Sequence, residues 1–165
     1  LICAQFASAQ TSANVNAYGR ANIVSAITIT KNHDLLFGQV VSDINAGTVV
    51  VGTDGTRTST GGLTLLAQSG VSYSTVHQAS FAITGSAGYI YTIGLPTTAV
   101  TLTSGTGEAA PTMTVDTFLS SPSGTGTLDT TLGTSTLNVG GTLHVAAGQA
   151  AGAYSGSFTV TVAYQ

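Results

Sequence analysis

The side chains able to do acid–base, nucleophilic or metal chemistry are few, and their spacing keeps them apart. His33, His77 and His144 show no HxH or HxxxH pattern, and Cys3 is the sole cysteine. A zinc site needs three or four convergent ligands. His33 and Asp34 are adjacent, so on a strand they point to opposite faces. Glycoside hydrolysis would need two facing carboxylates drawn from six acids. Asp54-Gly55 reads better as a tight turn, Asp34 and Asp43 as strand-end residues, and Glu108 and Asp116 as surface groups. Gly105-Thr106-Gly107 and Gly124-Thr125-Gly126 lack the Lys-Ser/Thr and the helix of a phosphate loop. No serine sits in a Gly-x-Ser-x-Gly elbow. The expectation is therefore no enzyme, no cofactor and no metal. Tyr89 and Tyr91 share a strand face. They fit either a sugar-stacking pair or core packing beside Ile93 and Leu95.

Charged residues make up 5% of the 165-residue chain, against about 25% in an ordinary soluble protein. A net charge of −3 with three basic residues excludes nucleic-acid binding, because phosphates need several Lys or Arg. Helical bundles are disfavoured, since Thr, Ser and Gly stand where Glu, Lys and Arg would line helix surfaces. Disorder does not fit 42% hydrophobic residues. No apolar run is long enough to span a bilayer as a helix. The chain reads as one all-β domain whose near-uncharged surface suits packing against copies of itself. Cys3 forms no disulfide within the chain; it acts as a small apolar side chain or pairs with another molecule.

The body divides into eight to ten expected strands punctuated by Gly, Asn, Asp and Pro, the pattern of a sandwich or barrel. Residues 23–30 alternate, with Ile23, Ile27 and Ile29 on one side. Further strands are expected over 34–41, 47–52, 63–66, 79–84, 89–95, 100–103 and 112–119. Residues 120–127 read as an exposed loop, and residues 136–145 as two strands around Gly140-Gly141. Residues 157–165 close the sequence with its cleanest period of two: Phe158, Val160, Val162 and Tyr164 alternate with Ser157, Thr159, Thr161 and Ala163.

This last strand needs apolar cover for one face and partners for one edge. Residues 1–17 contain no Pro, Gly or charge and read as an extended arm. Ala7-Ser8-Ala9 before Gln10 resembles a signal-peptidase site. The preferred reading keeps residues 1–13 as a real arm, with a mature start after Ala9 as the alternative. Ile2, Ala4 and Phe6 lie on even positions, and Ala7, Ala9, Thr11, Ala13 and Val15 on odd ones. The odd set is favoured to face a groove, with Ile2 and Phe6 as rim anchors. The arm either pairs with its own domain or adds a strand to the open edge of the next molecule. The second option builds a filament, because a head-to-tail contact does not close.

Several stretches carry a family resemblance. They are Ile27-Thr28-Ile29, Asp34-Leu35-Leu36-Phe37-Gly38, Thr48-Val49-Val50-Val51, Phe81-Ala82-Ile83-Thr84-Gly85, Leu137-Asn138-Val139-Gly140-Gly141-Thr142-Leu143, and the ending from Gly152-Ala153-Tyr154 to Tyr164. Over residues 20–165 the chain resembles the pilin subunits of chaperone–usher pili, in particular the archaic, spore-coat-like branch of secreted bacterial β-sandwich domains. It departs from many pilins in lacking an internal disulfide. The resemblance implies an incomplete immunoglobulin-like sandwich spanning 18–165, with residues 1–17 as donor-strand arm. A donor strand from a neighbouring subunit would complete it. It implies an acceptor groove lined by Ile23, Ile27, Ile29, Phe158, Val160, Val162 and Tyr164. It also implies a periplasmic chaperone and an outer-membrane usher as assembly partners, and an extracellular homopolymer serving adhesion or biofilm. A secreted monomeric carbohydrate-binding or adhesin module is the alternative, and a coat or matrix protein packing laterally is a third reading.

Overall fold

The computed structural model describes residues 12–67 and 75–165. Every regular element in it is a β-strand: β1 (Thr28–His33), β2 (Leu36–Phe37), β3 (Val40–Val41), β4 (Gly47–Val51), β5 (Arg57–Ser59), β6 (Thr64–Leu65), β7 (Val76–His77), β8 (Ala79–Thr84), β9 (Ile90–Gly94), β10 (Val100–Thr103), β11 (Thr112–Ser121), β12 (Thr125–Thr127), β13 (Thr134–Val145) and β14 (Thr161–Tyr164). All pairings are antiparallel.

The long strand β13 organises the large sheet. One edge pairs with β11, which passes outward to β10. The other edge is shared: Thr134 to Val139 pair with β8, and Gly141 to Val145 pair with β4. Beyond these lie β1 next to β8 and β5 next to β4. The sequence pattern suggests two strands broken at Gly140-Gly141, whereas the structure runs one strand through them. The glycine is needed for a different reason. Gly140 sits at the junction between β8 and β4, where a Cβ would run into the Val51 carbonyl oxygen.

Two apolar cores lie along β13. Core one gathers Ala79 and Ile83 of β8, Leu137 and Val139 of β13, Tyr91 of β9, and Leu128. Its cover is the three-stranded sheet β12-β9-β14. Core two gathers Val49 of β4, Leu63, Val115 of β11, and Leu143 and Val145 of β13, with Phe37, Val40 and Leu65 packed against it. The small ladders β2–β7 and β3–β6 cover it. A bulge in β11 shifts the register between Asp116 and Leu119, with Thr117 at φ 49°. That value is strained for a β-branched residue. The neighbouring Phe118 packs against both cores.

Other boundaries also differ from the sequence pattern. The first strand begins at Thr28 rather than residue 23. Its partner β8 ends at Thr84, where the Gly85 N–H turns to the Gly133 carbonyl instead. Residues 120–127 are a loop only over 122–124: β11 continues through Ser121, and β12 starts at Thr125. In the last segment only Thr161–Tyr164 form a ladder, opposite Gly94 to Tyr91. Continuing it would bring in Pro96, which has no N–H to donate. Upstream, Ser155 instead bridges Thr103 at the edge of the large sheet.

Candidate functional site

Strands β1 and β14 are the outer strands of their sheets and approach within 8 Å of each other. Among the described residues, no strand bonds to the free side of either. Alternation places Ile27 and Ile29 on one wall. Phe158, Val160, Val162 and Tyr164 form the other. All six are half-buried and pack against core one. Phe158 meets the Phe118 ring at 4.9 Å between centroids, and Tyr164 meets Tyr89 edge-on at 5.5 Å. Beside Phe158 opens a shallow cleft of about 390 Å³ bounded by Leu95, Pro96 and Val100. The structure thus brings six of the seven expected wall residues together. The seventh, Ile23, is a correction: it is 95% exposed and lies ahead of β1, because no strand among the described residues pairs with that stretch.

Where β14 ends beside the start of β1, hydrogen bonds join the two. The Tyr164 hydroxyl donates to the Ser25 carbonyl at 2.8 Å and accepts from the Ser86 N–H at 2.7 Å. The Ser25 N–H donates to Ser86 Oγ at 2.8 Å. Gly85 leaves room for this, since a Cβ there would meet the Tyr164 hydroxyl. The sequence reading missed this clasp; its one trace was a glycine ending a regular strand.

Residues 12–26 are exposed and belong to no strand. The exposed lead therefore reaches residue 26, past the boundary expected at residue 17. Within it Ala13 is exposed, Val15 is 93% exposed and Tyr18 is 89% exposed. The expected donor residues Ile2, Ala4, Phe6, Ala7, Ala9 and Thr11, together with Cys3, lie outside the described residues.

Elsewhere several polar groups engage one another. His144 Nε2 lies 2.8 Å from Asp116 Oδ1 at the margin of a cleft of about 540 Å³. The hydrogen bond from His144, then that from Thr117, holds the Asp116 carboxyl below the usual aspartate range. Gln149 in the same cleft is committed to Thr112, Tyr154 and Ala146. His33 and His77 stack at 4.2 Å. Among the described residues, no three His, Cys, Asp or Glu side chains gather as a metal would require. Tyr91 is fully buried, with its hydroxyl 2.8 Å from Ser135 Oγ. Tyr89 rests on Tyr164. The two tyrosines thus make no sugar-stacking platform.

Comparison with the curated proteins and with the solved structures found no match. A family profile does match, over residues 27–164. That span starts at Ile27 on one wall of the groove and ends at Tyr164 on the other. It holds these six half-buried residues and leaves out residues 12–26. The chain belongs to the DUF4402 family, described as a domain of unknown function.

Proposed function

We propose that the chain is the structural subunit of an extracellular, pilus-like filament, in which the N-terminal arm of one molecule fills the groove of the next. In this reading the domain is an immunoglobulin-like sandwich short of one strand. A periplasmic chaperone lends that strand during export, an outer-membrane usher exchanges it, and the homopolymer serves adhesion or biofilm. One observation carries the proposal: among the described residues no strand bonds to the outer edges of β1 and β14, which flank a half-buried apolar row, while residues 12–26 are exposed and belong to no strand. An incoming strand would gain main-chain bonds from a free edge, that of β1 or of β14, and its alternate side chains would set the register. Four or five buried side chains contribute on the order of 10 kcal/mol before ordering costs. The near-absence of charge leaves little like-charge repulsion between stacked copies.

The test is a gel of native material, boiled and unboiled, beside a negative-stain image. A strand swapped into a neighbour is released only by unfolding, so it persists kinetically. The expected result is a ladder in steps of one chain that survives detergent and collapses on hard heating, with thin fibres. Deleting residues 1–13 should abolish both. Polymers that form without those residues would sink the proposal, as would a single unboiled band with no fibres.

A further inference from the structure

We infer that Tyr164 is a positioning residue that steers the arm away from its own groove and toward another molecule. The inference rests on the strand-exchange reading above. β1 begins at the end of the groove where β14 finishes, since Tyr164 reaches Ser25 there. For the arm to fill its own groove, the chain would have to reverse just before Ile27 and run back beside β1. The residues between 12 and 26 span roughly 45 Å when extended, far more than the roughly 20 Å of a six-residue strand. Length therefore does not prevent self-insertion.

The clasp opposes it in two ways. Both backbone polar groups of Ser25, the residue about which such a reversal would turn, are already bonded: N–H to Ser86 Oγ and C=O to the Tyr164 hydroxyl. The Tyr164 ring is also held at the end of β14, packed on core one and on Tyr89, which fixes its hydroxyl beside Ser25. Ser25 uses only its main chain here, Ser86 both its N–H and its hydroxyl, and Tyr164 a single hydroxyl that makes two bonds. The three positions should accordingly differ in how they respond to substitution.

Arg20 supplies the readout. It lies in the exposed lead, and trypsin cleaves after it only while the lead is unpaired. Full-length chains held monomeric by dilution would be digested briefly, and parallel samples allowed to polymerise. Tyr164→Phe keeps the ring and removes both bonds, which shifts a local equilibrium by roughly tenfold or more. The expected result is a comparable slowing of cleavage at Arg20 in the monomer, together with fewer detergent-resistant polymers. Ser86→Ala should shift both in the same direction by less, and Ser25→Ala should behave as the natural chain does. Unchanged cleavage and unchanged polymer yield in Tyr164→Phe would overturn the inference. So would loss of polymer with cleavage still fast, because that pattern marks a merely weakened domain. If the natural chain forms no polymer at all, the strand-exchange reading fails, while the cleavage rates still decide whether the clasp directs the arm.

Discussion

The two cores along β13 are built from similar residues but closed in different ways. Core two is sealed from within the chain. Its covering segments β2, β3 and β6 are two residues each, too short to hold themselves by ladder bonds. A guanidinium from β5 ties them down: Arg57 donates to the carbonyls of Phe37 at 3.0 Å, Gln39 at 3.3 Å and Leu66 at 2.6 Å. Among the described residues, the flank of core one is tied at one end, by the Tyr164 hydroxyl between Ser25 and Ser86. Its margin is the half-buried row of Ile27, Ile29, Phe158, Val160, Val162 and Tyr164, beneath two unpaired strand edges. A region completed by its own side chains is a stable support. A region left open at its edges is where the proposed arm would bind. The position of Arg57, one of three basic residues in the chain, fits the first role.

Breaking the seal should have the largest effect. Arg57→Met keeps an apolar stem and removes the donors to the Phe37, Gln39 and Leu66 carbonyls, of which Gln39 keeps the Leu66 N–H. Stability should fall by about 2–3 kcal/mol, read as a lower urea midpoint with unchanged slope. Hydrogen exchange should locate the loosening in β2, β3 and β6 and spare β1 and β14. Uniform loosening of both regions would mean that the two cores form one cooperative unit, and the contrast between them would fall.

The converse experiment loads the open flank. A peptide of residues 1–17 added to the dilute full chain should protect amides of β1 and β14 and leave those of β4 and β5 as they were. At about 100 times its dissociation constant it would raise stability by about 2.7 kcal/mol. Protection centred on β4 and β5 would show that the arm docks elsewhere. Val162→Asp, which places a charge in the middle of the half-buried row, should abolish the peptide's effect, because burying an unpaired carboxylate is costly.

What could be read from the sequence follows the same division. The period of two in residues 79–84 and 157–164 correctly marked the apolar sides that build core one and its margin. Asp54-Gly55 is the turn it resembled: Gly55 has φ +81°, and the Gly52 N–H meets the Thr56 carbonyl at 2.9 Å. Failures came where tertiary partners decide. Ile23 continues the alternation past the end of its partner strand, so the pattern overran the ladder. Gly140-Gly141 looked like a break because glycine serves equally at turns and at close backbone approaches. Residues 120–127 looked like a loop by composition, yet small polar residues also fit the paired edges there. Arg57 and the Tyr164 hydroxyl act across 9–20 and 78–139 residues of sequence respectively, a separation no local pattern encodes.

The smallest expected effect concerns acid. Three carboxyls are held below the usual aspartate range by bonds that favour the charged form. Thr56 acts on Asp54, His144 and then Thr117 on Asp116, and the Leu132 and Thr131 N–H groups on Asp129. Each folded-state value lies below the unfolded one, so each group contributes stability that is complete above about pH 4 and is lost as pH falls through its folded value. Asp54 and Asp129 are exposed and Asp116 is half-exposed, all outside both cores, so the contributions are slight. Asp54 lies on the β4–β5 turn of the sealed region, and Asp129 on the turn leading into β13 beside core one. Asp129→Asn keeps an acceptor for the two N–H groups and removes the titration. The urea midpoint of the natural chain should therefore fall slightly more between about pH 6 and about pH 3 than that of the variant. Asp54→Asn should narrow the same difference. Because neither carboxyl touches the groove, neither variant should change arm-peptide binding at neutral pH. A change there would mean that the turns and the open flank are coupled, so that the support and the binding region could no longer be treated as separate.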